Sequence, residues 1–194
     1  MERKPTLTTI AIEKLHPHPD NPRKVLGDID ELADSIKANG ILQNLTVVPM
    51  NDDWTEFTVI IGHRRLAAAK QAGLTELPCA VVEMTEKEQL STMLTENMQR
   101  SDLTVYEEAK GCQLLLDLGD TVAEVAEKTG FSESKIRRRV KLCELDEEAF
   151  KESQIRQPTL QDYDRLNQIK DIDVRNELLT SIGTNNFDNR LYFA

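Results

Sequence analysis

The sequence predicts an α+β protein in two parts, a small mixed-sheet domain over residues 1–100 and an all-α domain over residues 101–194. Short β-branched runs alternate with helical patterns up to Val82 and then cease. Beyond Ser101 the apolar residues recur at intervals of three and four, the period of one helix face. Two short helical patterns in that second part pivot on Gly130, and the later one is crowded with cations although the whole chain carries a formal charge of -10.

In chain order, Met1 to Thr9 reads as a loose start and Ile10 to Leu15 as a short strand. The run from His16 to Lys24 holds Pro17, Pro19 and Pro22, which forbid ladder pairing and stretch the backbone, so it reads as a connector with a cationic end. Asp28 or Asp30 caps a helix with Ile29, Leu32, Ala33 and Ile36 on one face, and Asn39-Gly40 stops it. Leu45 to Val48 and Phe57 to Ile61 are predicted strands joined by a turn at Asn51-Asp52-Asp53. A helix follows Gly62 and closes at Gly73, Leu77 to Val82 is a further strand, and Thr85 with Glu88 opens a helix bearing Leu90, Met93, Leu94 and Met98.

The chemistry is concentrated where the strand Val59-Ile60-Ile61 meets the run Gly62-His63-Arg64-Arg65-Leu66. Glycine permits a sharp exit from a strand, and the first N–H groups of the helix that follows are unpaired and partly positive. Such an end attracts a phosphate, with Arg64 and Arg65 at hand to neutralise it. Nucleotide phosphate and nucleic-acid backbone fit this signal equally. Glu96, Asn97, Gln99 and Arg100 close a later helix, either as a solvated end or as Mg²⁺ ligands beside a phosphate.

In the second part, Thr104 with Glu107 opens a helix bearing Ala109, Cys112, Leu115 and Leu116, which ends at Gly119. Thr121 caps a short helix, Gly130 turns the chain, and Ser132 caps a third helix with Ile136 and Val140 inward. This is a helix-turn-helix over residues 121–142, whose second helix is expected in a DNA major groove. Ser132, Ser134, Lys135 and Arg138 are expected near bases, and Arg137, Arg139 and Lys141 near the phosphate backbone. Asp146 to Ala194 continues helical, with apolar faces at Leu160, Tyr163, Leu166 and Ile169 and at Val174, Leu178, Leu179 and Ile182. The apolar ending Leu191-Tyr192-Phe193 is expected to run on into further chain.

Composition bounds the rest. An acidic chain of pI about 4.9 does not coat nucleic acid, so any DNA contact must be local. Cys79, Cys112 and Cys143 lie far apart in apolar surroundings, which suits free thiols in a reducing compartment. His16 and His18 alternate with prolines, a loop pattern more than a metal site. No stretch is long and apolar enough to span a bilayer, and a cytoplasmic protein without a membrane partner is expected.

Four ordered segments together resemble the ParB family of partition proteins, including its RepB-like relatives. They are Asn21-Pro22-Arg23-Lys24, the segment from Ser35 to Asn44, Gly62-His63-Arg64-Arg65 with Ala68, and the segment from Glu96 to Leu103, followed by the helix-turn-helix. The resemblance implies a ParB/sulfiredoxin-like first domain that binds CTP with Mg²⁺, and a helical domain that reads a palindromic double-stranded DNA site as a homodimer. It implies a ParA-type ATPase as partner and a place on the nucleoid or a plasmid. Carried over by position, Gly62, Arg64 and Arg65 hold the phosphates, Gly40, Ile41 and Gln43 lie near the base, and His63 and Arg100 belong to the nucleotide site. Glu96 and Asn97 serve the metal and the attacking water, with Glu96 the catalytic group of any CTP hydrolysis.

The chain departs from the family in His63, where glutamate is usual, and in Ala67, where arginine is frequent. A weak CTPase is therefore the most that is expected, and no carboxylate cluster suits a nuclease. Sulfiredoxin chemistry would need a cysteine directly after Gly62. Two other functions compete: a transcriptional regulator of the same build that binds DNA without nucleotide, and a phosphotransfer enzyme acting on small molecules.

Overall fold

A computed structural model describes residues 5–23 and 26–192, and their contacts divide the chain into two units, Met1–Asn97 and Met98–Ala194. The start at residues 1–4, the Lys24 cation and the terminal Phe193 lie outside the described residues. Among the described residues, no helix is long and apolar enough to cross a membrane.

The first unit contains β1 (Thr6–Ala11), β2 (Leu15–Pro17), α1 (Asp30–Asn39), β3 (Leu45–Pro49), β4 (Phe57–Ile61), α2 (His63–Gln71), β5 (Glu76–Val81) and α3 (Glu86–Met98). Its sheet is mixed, in the order β1-β5-β3-β4-β2, with β1/β5 and β3/β4 antiparallel and β5/β3 and β4/β2 parallel. Period-two alternation sends Leu45, Val47, Phe57, Val59, Leu77 and Cys79 to one face, where they pack with Leu66, Ala68 and Ala69 of α2 and Ala33 and Ile36 of α1. Val48 and Ile60 point the other way and pack with Met93 and Leu90 of α3.

The strand expected at Ile10 to Leu15 is corrected into two. Ile10 and Leu15 are both core residues, yet an odd spacing in one strand would put them on opposite faces. A 3₁₀ turn over Ile12–Lys14 resolves the conflict. The stretch Thr6 to Thr9, expected to be loose, is strand paired to β5. The proline run likewise begins as regular structure, because Leu15–Pro17 is an edge strand, a place in a sheet that tolerates proline.

The second unit is helical throughout the described residues: α4 (Val105–Asp117), α5 (Val122–Thr129), α6 (Glu133–Leu142), α7 (Glu147–Ser153), α8 (Leu160–Leu166), α9 (Ile172–Leu179) and α10 (Asn185–Tyr192). Thr104 and Glu107, and Thr121 and Glu124, form complete capping boxes, and Ser132 Oγ accepts from Lys135 N at 3.2 Å. Gly130 closes α5 in the left-handed region at φ 75°. The core gathers Phe150, Tyr163, Leu166, Leu179, Ile182 and Phe187. Leu160, expected on that face, is instead 54% exposed at the first turn of α8.

One link that holds α6 is ionic. Glu108 of α4 accepts from Lys135 Nζ at 2.7 Å and from Arg139 Nε at 2.6 Å, and the Arg139 side chain is only 7% exposed. Removing one partner of a buried pair strands the other charge. Glu108→Ala is expected to lower the stability of the helical unit by about 3 kcal/mol, measured as a shift of its urea midpoint in the full chain.

Candidate functional site

In the first unit the site grows from the joint between β4 and α2. Gly62 sits at φ 108°, and a Cβ there would meet Leu45 Cγ at 3.0 Å. Only glycine takes that backbone comfortably in that space. Among the described residues no side chain caps the N-terminus of α2, which leaves its leading N–H groups open to an anion, as the sequence suggests.

Both arginines of this first turn reach back to loop carbonyls. Arg64 Nη1 donates to Leu26 O and Nη2 to Asp28 O, each at 2.8 Å. Arg65 Nη1 donates to Gln43 O and, at 2.7 Å, to Asn44 O. Burial lowers the Arg65 pKa from its ordinary value, and the Glu96 carboxylate works against that shift. A guanidinium carries five N–H donors, so each arginine keeps donors for a ligand after holding its loop.

These loops enclose an open cavity of about 340 Å³. Gln43, Gly62, His63, Arg64, Arg65 and Glu96, all expected at a nucleotide site, line it together. Asn21, Arg23 and Leu32 complete the lining. The first two went unassigned because the proline run reads as a connector. Asn21 Nδ2 donates to Arg23 O at 3.1 Å and Asn21 Oδ1 accepts from Arg23 N at 3.2 Å, a side-chain turn that places Arg23 at the wall. The available signal was an Asn-Pro pair followed by a cation.

Four expected residues are not in that lining. Gly40 ends α1 at φ 72°, and Ile41 packs against the core. Asn97 follows Glu96 on α3 but does not line the cavity. Arg100 belongs to the second unit and pairs with Asp102 at 2.7 Å.

His63 Nε2 accepts from His18 N at 3.4 Å, tying the proline run to the turn. Burial, with help from His18, lowers its pKa from 6.5 to about 4. The imidazole is therefore neutral near pH 7 and offers a phosphate no charge. Among the described residues no group of three or more His, Cys, Asp or Glu could hold a metal ion. The donor set fits Mg²⁺ only as that ion usually binds with nucleotides, on one carboxylate, here Glu96, plus phosphate oxygens. His16, weighed with His18 as a metal pair, is bound to Glu56 at 2.6 Å.

In the second unit packing fixes the rotation of α6. Ser134, Arg137, Arg138 and Lys141 form an exposed stripe at helical spacing and line a groove with Asp164, Asn167 and Gln168. Arg137 pairs with Glu133 at 3.1 Å, Arg138 with Asp164 at 3.0 Å, and Lys141 Nζ donates to Asn167 O at 2.6 Å. Two expected DNA contacts are corrected. Arg139 is interior, bound to Glu108, and Lys135 lies 3.4 Å from the Phe131 ring centroid with its ammonium on the same glutamate. Ser132 is exposed and serves as the cap of α6.

The chain is similar to known proteins along much of its length. The ParB N-terminal domain model matches residues 1–98. The chromosome-partitioning protein Spo0J of Thermus thermophilus is 40% identical over 143 residues, covering 73% of this chain and 52% of that protein. A probable chromosome-partitioning protein ParB of Xylella fastidiosa is 39% identical over 142 residues, covering 72% of this chain and 45% of that protein. The chain thus spans about half the length of the curated relatives it matches. The C-terminally truncated chromosome-partitioning protein ParB of Caulobacter crescentus, solved complexed to the centromeric parS site, superposes with a TM-score of 0.74 at 26% identity, over 96% of this chain and 98% of that one.

The His63 geometry has a pH consequence. Because the folded pKa lies below the unfolded value, the unfolded chain binds more protons between about pH 6.5 and about pH 4, and stability falls as pH drops through that window. In His63→Gln this part of the loss should vanish, seen as a flatter pH dependence of the urea midpoint than in the unaltered chain.

Proposed function

The chain belongs to the ParB family, and from that premise we propose that it is a DNA-binding partition protein whose grip on its duplex is controlled by CTP in the first unit. One observation carries the DNA part: in an acidic chain, the second helix of the helix-turn-helix turns Ser134, Arg137, Arg138 and Lys141 outward on a single stripe. Early side chains on such a helix reach base edges, and the longer cations take phosphates. Their present partners are exposed carboxylates and a carbonyl, contacts weak enough to be exchanged for DNA phosphates. Since one such motif reads a half-site, a palindromic duplex akin to parS and a second copy of the chain complete the reading. A ParA-type ATPase is the further partner that the family resemblance implies.

The nucleotide part rests on the cavity at the Gly62 joint. CTP supplies the polyphosphate, which the leading N–H groups of α2 and the spare donors of Arg64 and Arg65 would bind, while Gln43 stands on the base side. Glu96 would hold Mg²⁺ or orient a water. With a neutral His63 in place of a second carboxylate, the site favours binding over turnover.

Calorimetry with CTP and Mg²⁺ should show saturable binding that Arg65→Ala abolishes. Equal binding by the two proteins would sink the nucleotide reading and leave a nucleotide-free DNA-binding regulator. On a parS-containing duplex, Arg137→Ala and Arg138→Ala should each weaken binding and reduce the slope of log affinity against log salt by about one. Arg139→Met should move the thermal midpoint and leave that slope unchanged.

A further inference from the structure

The turn joining β3 and β4 holds an apolar surface in the open. Met50 is 57% exposed and Trp54, the only tryptophan of the chain, 42%. Trp54 sits at φ 52°, a left-handed backbone that is costly for a bulky side chain. Asn51 maintains it: its carbonyl accepts from Trp54 N at 3.1 Å, its Oδ1 from Thr55 N at 3.0 Å, and its Nδ2 donates to Thr55 Oγ1 at 2.7 Å. Strain kept in place to present an indole to solvent points to a use for that indole.

Two clefts flank Met50. One lies between Trp54 and Met84, and the other between Pro49 and Leu90 of α3. The charged side chains on their walls are Asp52 and Glu83 in the first and Asp20 and Glu86 in the second, with His18 also on the second. No lysine or arginine lines either cleft among the described residues. Around the exposed Met50 and Trp54, the charged side chains that line the clefts are thus carboxylates, apart from His18.

We propose that this surface docks a segment of another protein that carries apolar anchors flanked by lysines or arginines. Large exposed apolar groups within a polar rim mark protein contacts, and thioether side chains adapt to varied anchors. The acidic rim selects the charge of the partner. It repels nucleic acid and anionic membrane alike, and a two-fold pairing of two copies would set carboxylate against carboxylate. The inference is independent of the CTP and DNA readings, since none of the cleft residues named here belongs to the Gly62 cavity or to α6.

Trp54 is its own reporter. A synthetic amphipathic peptide of leucine and lysine, added to the full chain, should blue-shift the tryptophan emission saturably and less so at high salt, while a leucine and glutamate counterpart should not. Asp52→Lys combined with Glu86→Lys should weaken the lysine peptide by about tenfold or more, and Met50→Ala should weaken it as well. Glu31→Lys with Asp34→Lys, an equal charge change on α1, should leave it intact. Absence of a shift, equal response to both peptides, or equal loss in both charge-reversed proteins would overturn the proposal. Self-association lost in Met50→Ala would overturn it too, by making a second copy the occupant.

Discussion

A single left-handed residue governs the first unit. The chain must leave β4 with Val59 and Ile60 committed to opposite faces of the sheet and begin α2 with Leu66 directed into the core on one of them. Gly62 makes that change of direction in one step, against a Leu45 side chain that would crowd a Cβ at 3.0 Å. The open end of α2 and the guanidinium groups of Arg64 and Arg65 then arrive together, close enough to reach the carbonyls at Leu26, Asp28, Gln43 and Asn44. The proposed anion site would follow from a backbone constraint, and the arginines already brace the walls of its cavity.

Burial sorts the cations of the second unit. Arg139 and Lys135 share the largely buried Glu108 carboxylate, where low dielectric makes each contact expensive to lose. Arg137, Arg138 and Lys141 hold exposed partners, contacts that water and salt already weaken. Arg139 shares the inward face of α6 with the buried Ile136 and Leu142, and together they determine which side chains look outward. The structural contacts and the proposed DNA contacts are thus divided between the two sides of one helix.

The same sorting gives the net charge a local meaning. The overall value of -10 coexists with a cationic stripe on α6 and a carboxylate rim at the β3–β4 turn. At physiological salt each field is felt over about 8 Å. A partner therefore meets the patch in front of it, and the total serves chiefly to discourage indiscriminate nucleic-acid binding.

Sequence alone determined what depends on neighbours along the chain: the capping box at Thr104, the Thr121 and Ser132 caps, the glycine turns at Gly62 and Gly130, and the α+β division. Each rests on contacts within about one helical turn, where residue type and spacing suffice. The tertiary structure decided whatever depends on residues distant in sequence. It split the first strand so that Ile10 and Leu15 could share a core, and it placed Leu15–Pro17 against β4. It carried Asn21 and Arg23 to the Gly62 cavity and turned Arg139 inward onto Glu108. A periodic pattern says that a helix has two sides, but only the groups packed against it say which of its charges they neutralise and which they leave to the solvent.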